Sequence, residues 1–129
     1  MAERLFVYGT LHPDRAPREI ADLVRRFEHI GEGTVRGRLY DLGSFPAIIL
    51  DRKSGPIRGE VFAVPREPNA LARLDAYEEY SPEAPDDSLF LRRKTKVTID
   101  DGSAAQCWVY VYNKPLPADR LSHQLASVA

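Results

Sequence analysis

The sequence predicts a single α+β domain, built on a curled, largely antiparallel sheet or a small barrel, with about two or three short helices. The chain has 129 residues, which is the length of one domain. About six segments are rich in strand-forming residues, and most of them follow one another directly. The short connections between these segments favour antiparallel pairing over parallel winding.

Composition and charge narrow the functional classes. A hydrophobic fraction of 43% and a charged fraction of 29% are typical of globular proteins. The 18 basic and 19 acidic residues nearly cancel, so no basic field is available to bind a nucleic acid. The apolar run from Leu5 to Tyr8 is too short for a signal peptide or a membrane helix. We therefore expect a cytoplasmic protein without nucleic-acid or membrane partners, in which the lone Cys107 is a buried side chain.

The first strand and the first helix follow from two different apolar patterns. Leu5 to Tyr8 is a continuous apolar run that ends at Gly9, which is typical of a strand buried on both faces. Apolar residues then recur at helical spacing after Pro17, which suits a first helical turn. These apolar residues are Ile20, Leu23, Val24 and Phe27.

Five further strands are predicted. The first three are separated by turn residues, and their short spacing predicts antiparallel neighbours. They run from Thr34 to Tyr40, from Ala47 to Leu50 and from Ile57 to Val64. The last two, from Phe90 to Ile99 and from Ala104 to Asn113, are joined by Asp101-Gly102, a strong hairpin signal.

The second helix is predicted from Ala70 to about Glu79, with Asn69 as the residue whose side chain caps it. The segment from Ser81 to Ser88 contains prolines and acids and is expected to be a solvated loop. A short final helix is predicted from the apolar residues Leu121, Leu125 and Val128.

Glu78 is the acid that the helical pattern marks out. It falls on the apolar stripe, whereas Asp75 lies at its edge, so we expect only Glu78 to point inward. Burial and the negative end of the helix dipole should both raise the pKa of its carboxyl, as a general acid or base requires. The pattern equally fits an acid paired with Arg92 or Arg93, or one that an early helix end exposes to solvent.

Other candidate sites are weaker. Gly9 permits a sharp turn that aims backbone N–H groups at an anion, although a plain turn explains it as well. The histidines His12, His29 and His123 lack the spacing of metal ligands, so we predict no metal site. No serine or cysteine lies in a motif for a covalent nucleophile.

Five motifs occur in an order that resembles one family. They are Phe6 to Leu11, Gly37 to Ala47, Gly59 to Phe62, Leu74 to Glu78 and Val109 to Asn113. Together they resemble the gamma-glutamylcyclotransferase-like family, which includes the gamma-glutamylamine cyclotransferases and the AIG2-like proteins of plants. The resemblance implies a small mixed barrel with a cavity at one end.

The resemblance also implies an activity, an intramolecular cyclotransfer on a gamma-glutamyl amide. The products would be 5-oxoproline and a free amine or amino acid. The α-amine of the substrate is itself the nucleophile, so the resemblance implies no cofactor. The expected partner is a small-molecule gamma-glutamyl substrate, while the oligomeric state is left open.

The family's functional residues map onto this chain residue by residue. The catalytic glutamate of its Leu-Asp-x-x-Glu-Gly motif maps to Glu78, as general acid and base. The substrate-binding loop maps to Tyr8, Gly9, Thr10 and Leu11, and Thr10 takes the place of a serine. We further predict that substrate contacts Phe45, Pro46 and Phe90. Two positions depart from the family pattern, Glu79 for a glycine and Phe90 for a tyrosine.

Two alternative functions stay open. The chain could be a small-ligand-binding domain of the same fold without turnover, since fold resemblance does not fix function. It could also remove a gamma-glutamyl group from a biosynthetic intermediate with the same residues. The acids Glu83, Asp86 and Asp87 would favour leaving groups that carry positive charge.

Overall fold

The computed structural model describes residues 3–8, 18–42, 46–67 and 69–115, which form six strands and two α-helices. In chain order they are β1 (Arg4–Val7), α1 (Arg18–Val24), β2 (Glu28–Asp41), β3 (Pro46–Leu50), β4 (Pro56–Ala63), α2 (Ala70–Tyr77), β5 (Phe90–Ile99) and β6 (Ala104–Tyr112). A 3₁₀ turn at Pro85–Asp87 lies between α2 and β5. Pro17 and the predicted final helix lie outside the described residues. Neither helix of the described chain has the length or the apolar surface required to span a bilayer.

Five of the strands close into a barrel. The order along the sheet is β3-β2-β4-β1-β6-β5, and β2 also pairs with β5, which joins the two sides. Where β2 pairs with β5, Gly33 faces Ile99. A Cβ on Gly33 would lie 2.8 Å from the carbonyl oxygen of Thr98, so the two strands approach closely only because this residue is glycine. The pairing of β1 with β6 is parallel and the other pairings are antiparallel. The predicted α+β fold with a mixed barrel is therefore confirmed.

The predicted strands are present, with one difference in length. β2 begins at Glu28 instead of Thr34, and a shift in its pairing with β4 between His29 and Gly31 marks an irregularity of the kind that bends a strand around a barrel. The β5–β6 hairpin turns at Gly102, whose φ is 94°. β3 and β4 are consecutive, yet each pairs with β2 and not with the other.

The core consists of two clusters on opposite faces of the sheet. One contains strand residues only, including Phe6 of β1 and the fully buried Cys107, and so lies inside the barrel. The other joins the outer face to both helices and includes Leu5 and Val7. β1 thus contributes alternate residues to both clusters, which explains why its sequence is a continuous apolar run. Burial raises the pKa of the Cys107 thiol, as expected for a packed side chain.

The second helix begins where predicted but is stabilised differently at its ends. Asn69 occupies the capping position, yet its side chain makes no capping hydrogen bond, so that prediction is wrong. Its backbone (φ −102°, ψ 2°) is not extended, and an extended backbone is what normally lets a capping side chain reach the free N–H groups. The helix ends at Tyr77, before Ser81-Pro82 could stop it. This earlier end places Glu78 in a turn.

Candidate active site

The turn that carries Glu78 is closed by two backbone hydrogen bonds. The Tyr80 N–H donates to the carbonyl of Asp75 (2.8 Å), and the Glu79 N–H donates to the carbonyl of Ala76 (3.2 Å). This is the Schellman arrangement, in which the residue after the helix cap adopts a left-handed conformation and is usually glycine. Here that residue is Glu79, with a φ of 56°. The departure at this position, glutamate in place of the family's glycine, therefore leaves the turn intact but places a second acid beside Glu78.

The Glu78 carboxyl is half-buried and unpaired within the described part of the chain. Burial, followed by the negative charge of Glu79, raises its pKa to about 7. Neither Arg92 nor Arg93 forms an ion pair with it: Arg92 binds Asp75, and Arg93 is exposed. Among the described residues, the alternative of a structural acid neutralised by one of these arginines is thus not observed.

Asp75 is the more deeply buried acid of this helix, at 4% exposure. The expectation that only Glu78 points inward is therefore wrong. The Asp75 carboxylate accepts hydrogen bonds from Arg92 Nε (2.7 Å) and Nη2 (3.1 Å) and from the Tyr110 hydroxyl (2.8 Å). These donors offset the loss of hydration, and they come from β5 and β6, which a helical pattern does not include.

Tyr8 directly follows β1 at the end of the barrel interior, where its ring packs against Phe6 with centroids 6.4 Å apart. Its hydroxyl donates a hydrogen bond to the carbonyl oxygen of Tyr110 (2.6 Å). Burial, followed by the charge of Glu78, raises the pKa of the Tyr8 hydroxyl far above its ordinary value. Tyr8 is thus a permanently protonated group close enough to Glu78 to sense its charge.

The remaining predicted site residues divide into two groups. Four of them lie outside the described residues: Gly9, Thr10, Leu11 and Phe45. The same is true of two histidines that were considered as metal ligands, His12 and His123. Pro46 is the half-buried first residue of β3. Phe90 is buried in the outer core cluster, edge-on to Tyr112 with ring centroids 5.6 Å apart. Contacts of these residues with substrate stay a prediction.

The predicted acidic loop follows the Glu78 turn and is anchored to the end of β6. The Ser88 hydroxyl is buried, accepts a hydrogen bond from the Ser81 N–H (2.8 Å) and donates to the Ala84 carbonyl (3.1 Å). The Asn113 side-chain amide donates to the carbonyls of Pro85 and Ser88, both at 2.9 Å. The three acids, Glu83, Asp86 and Asp87, are exposed. An ordered loop therefore presents them to solvent.

Metal binding finds no support in the part of the chain that the structure describes. No group of three or more His, Cys, Asp or Glu side chains converges there. His29 instead contacts Glu60 at 3.0 Å on the surface of the barrel. Among the described residues, the Glu78 carboxyl is partly buried and unpaired and has a raised pKa, which are the properties of an acid–base catalyst.

Sequence reasoning named Arg92 only as a possible partner of Glu78 and missed Tyr110 as a partner of an acid, whereas both groups bind Asp75. A signal was present, because the Asp101-Gly102 turn sets the hairpin register and places Arg92 opposite Tyr110. Residues opposite one another on adjacent strands share a face, so this pair presents two hydrogen-bond donors together. The register does not show which acid these donors meet.

Comparisons with known proteins agree with this fold. An AIG2-like protein from Mus musculus has the same fold with a TM-score of 0.68 and 22% identity, over 90% of this chain and 80% of that one. A protein named gamma-glutamyl cyclotransferase gives a TM-score of 0.61 and 14% identity, over 87% of this chain and 67% of that one. YkqA from Bacillus subtilis gives 0.65 and 23%, over 88% of this chain but only 36% of YkqA. No curated protein matches the chain.

These structural likenesses establish the fold, and a family model establishes the family. The model for gamma-glutamyl cyclotransferase, AIG2-like, matches residues 5–127, which is nearly the whole chain. The chain therefore belongs to the AIG2-like gamma-glutamyl cyclotransferase family.

Proposed function

We propose that the protein catalyses an intramolecular cyclotransfer on a gamma-glutamyl amide, releasing 5-oxoproline and a free amine or amino acid. Membership of the family supports cyclotransferase chemistry. One observation carries the proposal: the half-buried Glu78 carboxyl, unpaired among the described residues, has its pKa raised to about 7 by burial and by Glu79. Such a group can accept and donate a proton near neutral pH.

The substrate supplies its own nucleophile. Its α-amine attacks the side-chain carbonyl carbon, a ring C–N bond forms, and the amide C–N bond to the leaving amine breaks. The α-ammonium loses two protons overall and the released amine gains two at neutral pH. One proton passes through Glu78, which ends the cycle ionised, and the second passes through solvent. In this scheme Glu78 removes a proton from the α-ammonium and delivers one to the leaving nitrogen, a role worth about a hundred- to ten-thousand-fold in rate.

The barrel end would hold the substrate in the folded conformation that ring closure needs. Correct orientation of reacting groups can supply roughly 7 to 11 kcal/mol in intramolecular reactions. In the scheme, backbone N–H groups of Gly9 to Leu11 bind the substrate carboxylate or the developing oxyanion. Tyr8 stays protonated and is engaged by the Tyr110 carbonyl, so it shapes the site and does not compete as a base.

The experiment is a search for product with a panel of gamma-glutamyl amino acids and gamma-glutamyl amines. Mass spectrometry measures 5-oxoproline, and thermal unfolding with the same compounds measures binding. Release of 5-oxoproline from at least one compound is the expected result, and the substrate that reacts fastest identifies the leaving amine. Stabilisation by these compounds without product would instead indicate a binding domain. The absence of both product and stabilisation would contradict the proposal.

A further inference from the structure

Three side chains from three elements meet beside the Glu78 turn: Asp75 of α2, Arg92 of β5 and Tyr110 of β6. Both Asp75 oxygens are engaged by the Arg92 guanidinium, at 2.7 and 3.1 Å, and one also accepts the Tyr110 hydroxyl at 2.8 Å. The side chains of Asp75 and Arg92 are only 6% and 16% exposed. We call this group the Asp75 clamp.

The clamp is connected to both groups of the candidate site. Asp75 lies three residues before Glu78 in the chain, and its carbonyl accepts the Tyr80 N–H that closes the Glu78 turn. The backbone carbonyl of Tyr110 accepts the hydroxyl of Tyr8. One set of hydrogen bonds thus links the turn that carries the acid to the barrel wall beside it.

Stability alone does not account for this arrangement. Removing two charges from water offsets most of their attraction, and an apolar pair of similar shape is often as stable. The geometry is nevertheless well defined, because the Arg92 guanidinium uses two nitrogens and stacks over Trp108 at 4.3 Å from the ring centre. A bidentate, stacked arginine fixes an angle as well as a distance. That property suits a residue that orients a neighbouring helix end.

We propose that Asp75, Arg92 and Tyr110 are positioning residues, which hold Glu78 half-buried beside Tyr8 so that its carboxyl meets the reacting nitrogens. This inference rests on the proposed function. The clamp acts through the turn, and its members need not touch the substrate. Loosening it should let Glu78 move toward water, with loss of orientation at the reacting atoms.

Tyr110→Phe tests the clamp with the least disturbance. It removes one hydrogen bond to Asp75, keeps the ring and the backbone carbonyl that binds Tyr8, and changes no charge at neutral pH. Among the described residues, the charged or titratable groups that interact electrostatically with Glu78 are Glu79 on its own turn, Tyr8 after β1 and Tyr110 on β6. A change in the pKa of Glu78 in this variant therefore reports its exposure and not a lost charge.

We expect kcat to fall about tenfold or more, with a much smaller change in KM, because misplacement by about 1 Å can cost up to a hundredfold in rate. The pKa of the Glu78 carboxyl, followed by carbon NMR, should fall toward the ordinary value of a glutamate, since water favours the ionised form. Asp22→Asn is the matched control. It breaks the exposed ion pair of Asp22 with Arg73, which also secures α2 but lies outside the clamp. Both quantities should stay unchanged in the control.

Arg92→Lys is measured in parallel, because it keeps the positive charge but loses the bidentate contact with Asp75. It should give the same two effects, and it decides the question if Tyr110→Phe does not fold. An unchanged kcat together with an unchanged Glu78 pKa in a folded clamp variant would overturn the inference. The NMR titration needs no turnover, so absence of 5-oxoproline from the unaltered protein would count against the proposed function and leave the clamp to be decided by the pKa.

Discussion

Glu78 and Tyr8 are electrostatically coupled although they lie 70 positions apart in the sequence. The charge of Glu78 adds to burial in raising the pKa of the Tyr8 hydroxyl, so only one of the two groups ionises near neutral pH. The barrel places Tyr8 at the end of β1, and the turn after α2 places Glu78 beside it. In the proposed function this difference separates their roles: Glu78 carries the proton, and Tyr8 stays protonated and neutral.

The raised pKa of Glu78 predicts a specific pH dependence of activity. If the free enzyme needs ionised Glu78 as its base, kcat/KM should rise with pH and level off above about 7, the pKa of this carboxyl. Initial rates of 5-oxoproline release between pH 5 and 9 would measure this limb. A limb near the ordinary glutamate value of about 4.3 would mean that Glu78 is not held in this environment.

The same pKa predicts a pH dependence of stability. The folded state binds the Glu78 proton more tightly than the unfolded chain, so this stabilisation is complete below about pH 4 and is lost as pH rises through about 7. Glu78→Gln removes the ionisation and should increase the free energy of unfolding at pH 8 by about 1 to 3 kcal/mol, with a smaller effect at pH 5. Urea unfolding of both proteins at the two pH values measures the difference. An equal effect at both would contradict the raised pKa.

Glu79 should reduce stability and raise the pKa of its neighbour by separate mechanisms. Its φ of 56° favours glycine, so Glu79→Gly should stabilise the fold by roughly 1 kcal/mol. Removing its charge should also lower the pKa of Glu78. Glu79→Gln separates the two effects, because it removes the charge and keeps the left-handed side chain. We expect the pKa of Glu78 to fall in both variants, as measured by NMR titration. At pH 5, where the folded protein keeps Glu78 protonated and the charge of Glu79 does not act on it, we expect stability in urea to rise only with glycine.

The exposed acids of the loop, Glu83, Asp86 and Asp87, should favour substrates whose leaving group carries positive charge. Replacing them with amides should raise KM several-fold for a gamma-glutamyl conjugate of a diamine and leave KM for a neutral leaving group nearly unchanged. The difference should shrink at high salt, because these charges face solvent. Faster turnover of an anionic leaving group at low salt would contradict this assignment.

The sequence predicts the fold well because its strongest signals are local. The Asp101-Gly102 turn and the continuous apolar run of β1 each specify their own structure, and the structure confirms both. The closure of β2 on β5 is a long-range contact that no local pattern contains. The prediction that Asn69 caps α2 is wrong because capping depends on a backbone conformation, which the residue type alone does not fix.

The candidate site is predictable only in part, and the reason is again physical. Helical periodicity places Glu78 near the apolar stripe, but it assigns Asp75 to the edge. The burial of Asp75 depends on Arg92 and Tyr110, which the β5–β6 hairpin delivers from another part of the chain. Because a buried charge is tolerated only with its partners, the apolar pattern alone does not identify it.

The central claim is tested most directly by comparing 5-oxoproline release by the unaltered protein and by Glu78→Gln on the best gamma-glutamyl substrate. The amide keeps the size of the side chain but does not accept or release a proton near neutral pH, so we predict a fall in kcat of about a hundredfold or more in a protein that remains folded. Asp22→Asn, which alters an exposed acid of α1 away from the candidate site, serves as the control and should retain most of the activity. Activity retained by a folded Glu78→Gln protein would contradict the assignment of Glu78 as the acid–base group.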